Sequence, residues 1–396
     1  MKKLASKFIL VLLLCSSWLI VVQFQVANAE AATIVVPDDY ESIQDAIIAA
    51  DTGDTVFVKN GVYLVNEDTS ITIYKTVSLT GEDPKNTIIQ GNYSNIRGGT
   101  AIRVTAVDVT ISGFTLTNCR VAITIENFGE AYPSGCKIIN NNIVNNSEGI
   151  RPRANDILIS GNNITKCVTG ISGYDKKNIA VIGNNITENG YGINIGESRN
   201  ITVLENNISN NEGGLNMIYY GPYSVHANNF TENGWAIRFA EGCQNATVYG
   251  NNILKNCIAV WLLTFPNGGD RVTSGEGNMF FGNVIVGNSQ QISKEEMYDN
   301  IDPTWSRGTD IVSWDNSTMG NYWDDYNGTD QNDDNIGETP YRLDQNNQDN
   351  HPLTKQVDTK TIIPEFPAEV ILSLFLVATI VGTVYKKKLT KKSNIV

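Results

Sequence analysis

An Asn-Asn-apolar tripeptide returns at nearly constant spacing through the middle of this chain. With its second Asn taken as position zero, six copies follow one another at steps of 21 to 23 residues, at Asn142, Asn163, Asn185, Asn207, Asn229 and Asn252. Looser copies lie at Thr115 and Val284. A fixed period of this length restricts the chain to a stack of equivalent units, none of which can bury its own apolar face.

Apolar and polar residues alternate within each repeat. Apolar side chains stand four residues before zero, one after it and eight after it, as at Ile138, Ile143 and Ile150. Alternation with a period of two predicts short strands rather than helices. Three short strands per repeat predict an all-β solenoid of about ten coils of ~22 residues.

A column of asparagines accompanies the apolar positions. Because Asn tolerates the left-handed conformation of a tight corner, we expect the residue before zero to turn the chain. Coils stacked ~4.8 Å apart would also let equivalent amides hydrogen-bond along the stack. The predicted ladder consists of Asn141, Asn162, Asn184, Asn206, Asn228 and Asn251.

A second column lies four residues after zero and includes Asn146 and Asn189. Cys119 and Cys167 occupy this same column, two coils apart. That separation of ~9–10 Å exceeds what a disulfide can span. We therefore expect these two cysteines to be unbridged.

Both ends of the chain differ from its repeats. Residues 1–29 have the layout of a secretory signal, with lysines before an apolar run and small residues suited to cleavage after Ala29. An uncleaved anchor is the alternative. The apolar segment from Val370 to Tyr385 is followed by five lysines, which a buried core helix would not explain. A membrane helix there would place the preceding chain outside the cell.

The charge balance restricts the partners. The chain has 42 acidic and 29 basic residues, a formal net charge of −13. Because eight lysines lie in the two terminal segments, the region between them is more acidic still. Such a surface repels nucleic acid and attracts cations, so we expect no nucleic-acid partner.

The repeat "GNNI…N…GI" resembles the right-handed parallel β-helix family that includes pectate lyases. It is most similar to the NosD-type subgroup of exported proteins and to related surface proteins of archaea. The segment from Thr33 to Tyr63 resembles that family's entry segment, and the resemblance extends over about residues 33–353. It implies an N-terminal capping helix, for which Ile43, Ala46 and Ile47 lie on one helical face. The expected domains are a β-helix over residues 30–290 and an Asp/Trp-rich C-terminal cap over 291–360.

The segment from Trp314 to Tyr341 resembles the segment that closes NosD-type repeats. Within it, oxygen-bearing side chains alternate as in a calcium-binding loop, at Asp330, Asn332, Asp334 and Glu338. Asn335 replaces the usual loop glycine and no acidic residue stands at position 12, so a solvated acidic cap is the alternative. The aromatic residues of the segment either stack on sugars or cover the end of the core.

NosD-type proteins are named as copper-accessory proteins, yet this chain has few soft ligands. It contains two histidines, His226 and His351, and five methionines, without a His/Met/Cys cluster. Copper needs several imidazole, thiolate or thioether ligands together. We therefore expect no copper site, and Ca²⁺ is the metal expected if the acidic loop binds one rather than forming a solvated cap.

Variable positions after the third strand gather charged and aromatic side chains. Stacked coils would bring them onto one face, where a polysaccharide or another cell-envelope component could bind. The ligand-face candidates are Arg151, Arg153, Asp175, Lys176, Tyr219 and Tyr220. The signatures of polygalacturonases are absent, so a binding or structural role is favoured over a polysaccharide lyase or glycosidase.

Glycosylation motifs and a sorting signal complete the prediction of a cell-surface protein. Among many Asn-x-Ser/Thr motifs, Asn92, Asn316 and Asn327 are the better acceptors, because modified residues in one outer column would crowd at ~4.8 Å. Residues 361–396 contain Pro364-Glu365-Phe366-Pro367 before the apolar tail. This resembles the PEF-type sorting signal of archaeal surface proteins, which implies either a lipid anchor after cleavage or a retained membrane helix.

Overall fold

The computed structural model describes residues 31–66, 70–92, 99–127, 132–264, 277–296 and 312–359. They form an all-β, right-handed parallel solenoid of about nine to ten turns with almost no helix, close to the expected number of about ten. The expected signal at 1–29 and the expected tail at 361–396 lie outside these residues. Within the described part, no helix has the length and apolar character needed to cross a bilayer.

Three parallel sheets, named here A, B and C in the order in which each coil visits them, form the walls of the solenoid. Sheet A consists of Thr33–Val36, Thr55–Val58, Ser78–Gly81, Thr110–Ser112, Lys137–Ile139, Ile157–Ser160, Lys177–Ile182, Arg199–Leu204, Tyr223–His226, Thr247–Tyr249, Asn278–Phe281 and Val312–Ser313. Sheet B consists of Gly61–Val65, Thr87–Gly91, Thr115–Thr117, Asn142–Val144, Asn163–Thr165, Asn185–Thr187, Asn207–Ser209, Asn229–Thr231, Asn252–Leu254, Val284–Val286 and Tyr322–Trp323. Sheet C consists of Ile71–Ile73, Thr100–Val104, Val121–Glu126, Glu148–Arg153, Thr169–Tyr174, Tyr191–Gly196, Gly213–Tyr220, Trp235–Cys243, Ile258–Thr264 and Gln290–Glu296.

The apolar positions of the repeat form the core, as predicted. Ile138 on sheet A, Ile143 on sheet B and Ile150 on sheet C are fully buried. Each pairs in register with the equivalent residue of the next coil, as Ile143 does with Ile164. The period therefore fixes both the strands and their register, because a one-residue slip would turn every buried side chain outward.

The predicted asparagine ladder is present at the corner between sheets A and B. The backbone N–H and the side-chain amide of Asn184 both donate to Oδ1 of Asn206, each at 2.9 Å. The same amide also donates to the carbonyl of Ile159, one coil back. The ladder asparagines are almost fully buried, so their hydrogen bonds are sheltered from water.

The expected left-handed conformation belongs to a different residue. The residue that precedes each ladder Asn has the positive φ, for example 54° at Glu205 and 55° at Ala227. The ladder asparagines themselves do not have it. The corner is turned one position earlier than predicted because the ladder side chain must point inward to reach both neighbouring coils.

The second column forms a similar ladder between sheets B and C. Asn189 donates its side-chain amide to Oδ1 of Asn211 at 3.0 Å, and the backbone N–H of Cys167 donates to Oδ1 of Asn189 at 2.9 Å. Cys119 and Cys167 are buried free thiols in this column, as predicted.

Apolar side chains are buried near both described ends of the solenoid. The helix Ile43–Ala49 follows the first strand. Ser42 caps its N-terminus, and the Oγ of Ser42 accepts a hydrogen bond from the N–H of Asp45. Its residues Ile43, Ala46 and Ile47 are buried. At the other end, Trp314 contacts Phe280 of the last complete coil with ring centroids 5.3 Å apart, and a small antiparallel pair, Tyr341–Arg342 and Gln348–Asp349, lies beyond it.

Trp314 and Trp323 cover the core rather than offering rings to a ligand. They are 2% and 1% exposed, and both indole nitrogens are bound, to Asn347 and to Asp349. The alternative in which aromatic residues close the core is therefore correct for these two tryptophans.

Candidate functional site

The outer surface of sheet C carries polar and aromatic side chains in columns along the solenoid axis. It is called the sheet C face here, and its central column pairs residue by residue from coil to coil. In chain order, the column contains two arginines with a threonine between them, then a serine and two asparagines, and finally an arginine and a tryptophan. Its members are Arg103, Thr124, Arg151, Ser172, Asn194, Asn216, Arg238 and Trp261. Of these, Thr124, Arg151 and Asn216 are buried beneath their neighbours.

Ion pairs occupy the N-terminal half of the sheet C face. Arg103 pairs with Glu126, and the guanidinium of Arg153 lies 3.9 Å from the same carboxylate. Arg151 pairs with Glu148, which lies three residues earlier in the same strand. Both carboxylates are therefore held by arginines on the outer surface of the sheet.

Glu148 is kept ionised by its partners. Partial burial alone would raise its pKa, but hydrogen bonds from Arg151 and Ser172 lower the pKa below the ordinary value of 4.5. The hydroxyl of Ser172 donates to Oε2 of Glu148 at 2.6 Å. A carboxylate in this state is a poor general acid, because it carries no proton near neutral pH.

An aromatic cluster occupies the C-terminal half of the sheet C face. The ring centroids of Tyr191 and Trp235 are 6.0 Å apart, and those of Trp235 and Trp261 are also 6.0 Å apart. The guanidinium of Arg238 lies 5.0 Å from the Trp235 centroid and 5.4 Å from that of Trp261. These distances are those of cation–π contacts, which hold a cation flat against aromatic surface.

Glycine makes this cluster possible. Gly213 lies between Tyr191 and Trp235 in the paired column. A Cβ atom at Gly213 would lie 2.0 Å from Cζ2 of Trp235, so the indole occupies the space that any other side chain would need.

Two amides join the halves of the sheet C face. Asn216 donates from Nδ2 to Oδ1 of Asn194 at 3.0 Å and accepts from Nε of Arg238 at 2.7 Å. The arginine is therefore fixed by a hydrogen bond as well as by the rings. These contacts hold the amides, the arginine and the rings in fixed orientations, which would keep the entropy lost on binding small.

The structure brings most of the sequence-predicted ligand residues to this face or its edge. Arg151 and Arg153 lie within the strand Glu148–Arg153, not in the following corner as expected, because the strand continues to the residue before the turn. Asp175 and Lys176 do lie in a corner, where the N–H of Lys176 donates to Oγ of Ser198 at 3.1 Å. Tyr219 and Tyr220 end another strand, with ring centroids 6.4 Å apart.

Sequence analysis missed the aromatic cluster and the amides. The available signal was the position nine residues after zero, where Asn194, Asn216, Arg238 and Trp261 succeed one another at consecutive repeats. These positions differ in chemistry from one repeat to the next, so the period alone does not reveal them.

The four predicted calcium ligands lie in one exposed loop and accept from its own backbone. Asp330 accepts the N–H groups of Asp334 and Asn335 at 3.1 and 2.9 Å. Asn332 accepts from Asp334 at 3.2 Å, and Glu338 accepts the N–H of Gln331 at 2.6 Å. In the described part of the chain, no group of three or more His, Cys, Asp or Glu residues is arranged to hold a metal.

The soft metal donors are dispersed. His226 stacks on Tyr249 on the outside of sheet A, whereas His351 pairs with Asp315 in the C-terminal region. Burial raises the pKa of the Cys119 and Cys167 thiols to about 11, so both remain protonated. Within the described residues, this donor set does not fit a copper site.

The three preferred glycosylation acceptors differ in their surroundings. Asn92 and Asn327 are exposed. Asn316 is partly buried, and its Oδ1 accepts the N–H groups of Thr318 and Met319. Column residues such as Asn185 donate their side-chain amide to the preceding coil, here to Asn163 at 2.7 Å.

Solved structures with the same β-helix fold resemble the chain weakly in sequence. The A-module of mannuronan C-5 epimerase AlgE6 from Azotobacter vinelandii is 18% identical, with 71% of this chain and 88% of that one covered and a TM-score of 0.47. An alginate lyase from Paenibacillus sp. str. FPU-7 is 13% identical, with 67% and 98% covered and a TM-score of 0.44. The periplasmic alginate epimerase AlgG is 15% identical, with 71% and 76% covered and a TM-score of 0.46.

The family comparison covers most of the chain. No curated protein sequence matches it significantly. One family model, described as periplasmic copper-binding protein (NosD), matches residues 47–222 and 129–328, and the two ranges overlap because the coils are equivalent. The chain belongs to the NosD family.

Proposed function

We propose that this protein binds a polysaccharide along the sheet C face. The proposal is supported above all by the cluster of Tyr191, Trp235 and Trp261 around Arg238, next to the amides of Asn194 and Asn216. The partly exposed rings of Tyr191 and Trp261 present apolar surface to sugars, and the partly exposed amide of Asn194 presents polar atoms to hydroxyl groups. Trp235 and Asn216 are buried and hold these groups in place. Aromatic residues and arginine also dominate the energetics of binding surfaces generally.

The axial arrangement favours a polymer over a compact ligand. Equivalent positions of the central column recur every ~4.8 Å along the solenoid. A linear chain of sugars, which is itself periodic, can contact several of these positions at once. The sheet beneath is held by two amide ladders, so the face is rigid before the ligand arrives.

The test is a screen of soluble polysaccharides followed by titration calorimetry. The Trp261→Ala and Tyr191→Ala double variant should raise the dissociation constant at least about tenfold, as expected for the loss of aromatic contacts at the centre of an interface. Tyr40→Ala removes an aromatic side chain that is exposed at the N-terminal end and should leave binding unchanged. Equal binding by the double variant and the wild type would refute the proposed face.

A polysaccharide lyase or glycosidase is the second candidate, favoured by the two carboxylates and three arginines on the same face. The ion pair of Glu148 argues for binding without cleavage, because this carboxylate is neither a free base nor a proton donor. Incubation of the protein with the bound polysaccharide, with Ca²⁺ and with chelator, tests the candidate. Shortened chains with unsaturated ends would identify a lyase, and shortened chains with new reducing ends a hydrolase.

We also propose that the acidic loop binds Ca²⁺ through Asp330, Asn332, Asp334 and Glu338. Alternating carboxylate and amide oxygens are the ligands that Ca²⁺ prefers, and the loop is exposed to solvent. Millimolar Ca²⁺ should raise the melting temperature of the wild type and not that of Asp330→Asn, with Mg²⁺ as the comparison ion. Identical melting curves with Ca²⁺ and with chelator would contradict this proposal.

We further propose that the protein is exported and displayed on the cell surface. Residues 1–29 would direct export and 361–396 would tether the protein to the membrane, while the helix Ile43–Ala49 closes the first coil. Fractionation of cells that express the full chain, with protease added from outside, tests the location. Protection of the solenoid from that protease until the cells are lysed would overturn the proposal.

A further inference from the structure

The first coil of the solenoid is incomplete. Its strand Thr33–Val36 lies in sheet A, but the chain then forms the helix Ile43–Ala49 and returns to sheet A at Thr55–Val58. Among the described residues, no strand therefore precedes Gly61–Val65 in sheet B or Ile71–Ile73 in sheet C. Each of the three sheets ends here in a strand edge, and the backbone groups of such an edge can pair with another chain.

Two of these three edges are blocked by the protein's own side chains. In sheet A, the N–H of Val35 donates to the carboxylate of Asp39 at 2.8 Å, and the carbonyl of Val35 accepts from the N–H of Asp39 at 2.7 Å. In sheet C, the N–H of Thr72 donates to Oε1 of Gln44 at 2.8 Å, and the carbonyl of Thr72 accepts from Nε2 of Gln44 at 3.3 Å. Both outward backbone groups of Val35 and of Thr72 are therefore satisfied, which protects these edges from pairing.

The edge of sheet B has no such cap. The N–H of Gly61 donates to the carbonyl of Asn86 in the next coil, so Gly61 and every second residue after it face the sheet. The backbone groups of Val62 and Leu64 consequently point away from the sheet, because successive residues of a strand alternate. Within the described part of the chain, these outward groups have no hydrogen-bond partner.

A groove and an apolar patch lie beside this edge. The groove has a volume of about 630 Å³ and lies between the start of the helix, at Ile43, and the strand residues Val62–Val65. Val62 and Leu64 are 57% and 74% exposed, so the strand presents aliphatic surface as well as unpaired backbone. Extended peptides that add to a sheet edge use both, since the backbone gives affinity and the alternate side chains give specificity.

We propose that this groove binds an extended segment of a partner protein, which adds to the edge Gly61–Val65 as the missing first strand of sheet B. An extended backbone presents donors and acceptors every ~6.6 Å on one edge, which is the spacing of the outward groups of Val62 and Leu64. Alternate side chains of the segment would enter the groove beside Ile43. The site lies at the end of the solenoid and does not depend on the proposed polysaccharide binding.

The charge at the groove restricts the sequence of the partner segment. Glu41 is the only charged residue among the described residues that line the groove, and the first turn of the helix adds Asp45. Both side chains are exposed, on a chain whose formal net charge is −13. Complementary charge selects partners, so the expected segment carries a lysine or arginine next to its apolar residues.

The test uses the full chain and a fluorescein-labelled synthetic peptide of alternating valine and threonine that begins with lysine. Fluorescence anisotropy should show saturable binding. Hydrogen exchange measured by mass spectrometry should slow in the fragment that contains Gly61–Val65 and stay unchanged in fragments of sheet C such as Tyr191–Gly196. Protection elsewhere, without protection of Gly61–Val65, would refute the site.

Backbone methylation of the peptide tests the hydrogen bonds. One version carries N-methyl groups on its valines and another carries them on its threonines. Only one of these two sets of N–H groups faces the edge of sheet B, because the direction alternates along a strand. One version should therefore bind at least about tenfold more weakly than the parent peptide, and the other about as tightly. Equal losses in both would overturn strand addition.

The variants Leu64→Pro and Leu64→Ala form a matched pair. Both shorten the side chain, but only proline also removes the outward N–H, and an edge strand tolerates proline at such a position. Leu64→Pro should bind the peptide at least about tenfold more weakly than Leu64→Ala. Val168→Ala removes another exposed aliphatic side chain, several coils away, and should bind as the wild type does. Circular dichroism confirms that each variant is folded.

The remaining outcomes decide what occupies the groove. Glu41→Gln should weaken binding of the lysine peptide several-fold and leave unchanged the binding of a peptide with serine in place of lysine. Equal binding of both peptides by the wild type would overturn the assignment of a basic segment. Equal losses in Leu64→Pro and Leu64→Ala would show that apolar contact alone is used. Dimers of the protein that Leu64→Pro abolishes, without peptide binding, would show that a second copy occupies the edge.

Discussion

Single asparagines differ in their expected contribution to stability, depending on whether the side chain points into the core or toward solvent. Asn206 is 1% exposed and its amide donates to the carbonyls of Val181 and Leu204 as well as to Asn228. Asn207, the next residue, is exposed on the outside of sheet B and donates to Asn185. Adjacent residues of the same type therefore allow a matched comparison.

Replacement of Asn206 by Ala should lower the free energy of unfolding by about 2–4 kcal/mol. The change removes the acceptor of the buried backbone N–H of Asn184 and the amide that bonds to the carbonyls of Val181 and Leu204, and each buried unsatisfied group costs about 1–3 kcal/mol. Asn207→Ala should cost less than about 1 kcal/mol, since water replaces its lost bond. Urea denaturation of both variants measures the difference, and similar losses would contradict a special role for the buried ladder.

Among the elements, the strands of sheet C combine two functions. Their inward residues, such as Ile193 and Leu215, complete the core, while their outward residues form the proposed binding face. Gly213 serves the outward side, because it leaves room for Trp235 beside Tyr191. The strand can change its outer chemistry from coil to coil without disturbing the core.

Gly213→Ala should displace Trp235 and weaken polysaccharide binding several-fold with only a modest loss of stability. The added Cβ would lie 2.0 Å from the indole, which must then rotate away from Tyr191 and Arg238. Gly196→Ala on the neighbouring strand is the control, since its Cβ would meet Ile218 and Tyr174 at an ordinary 3.4 Å. Tryptophan fluorescence and calorimetry check the prediction, which fails if both variants bind equally well.

A buried carboxylate, Asp349, is one of the groups that join the C-terminal elements to the last coil. Asp349 accepts from the N–H of Asn321 at 2.7 Å, from the indole of Trp323 at 2.9 Å and from the N–H of His351 at 3.0 Å. Burial nevertheless raises the pKa of Asp349 to about 6, although these hydrogen bonds act to lower it. The contact is therefore sensitive to pH near neutrality.

Acidification from pH 7 to pH 5 should increase the stability contribution of Asp349. Because its folded-state pKa lies above the ordinary value of 3.8, the folded protein binds this proton more tightly between pH 3.8 and 6, and stability falls as pH rises through that window. The full effect is about 3 kcal/mol for about two pKa units. Chemical denaturation at several pH values should show this dependence in the wild type and not in Asp349→Asn; parallel profiles would contradict it.

At the scale of the whole molecule, the solenoid depends on covering its ends. A stack of coils exposes apolar core and unpaired strand edges wherever it stops. Trp314 lies against Phe280, and Trp323 pairs in register with Ile285 of the preceding coil. We therefore expect these two tryptophans to prevent further copies from adding to the end of the stack.

The Trp314→Ala and Trp323→Ala double variant should associate end to end. Each substitution removes a large buried ring, at a cost of about 3–5 kcal/mol, and exposes the last coil. Light scattering during gel filtration should show oligomers that increase with protein concentration. Trp261→Ala, a change on the side of the solenoid, should elute as the wild type does, and a monomeric double variant would show that the coil end is closed by other means.

The sequence predicted the solenoid far better than its site, for a physical reason. Inward positions such as Ile164 and Asn184 must be repeated, because each packs on its own copy in the next coil. Outward positions obey no such requirement. Tyr191 and Trp235 become neighbours only because Gly213, from the coil between them, has no side chain, and no local pattern in the sequence announces that arrangement.

The coil-to-coil register of the ladder has a consequence for how such a gene can change. Each ladder amide bonds only with adjacent coils, as Asn206 does with Asn184 and Asn228. In-frame duplication or deletion of a full repeat would therefore rejoin identical partners and leave both ends intact. A single inserted codon inside a strand would shift the register of that coil and break its contacts with both neighbouring coils. Duplication or deletion can thus lengthen or shorten the proposed binding face in steps of one coil without redesigning the fold.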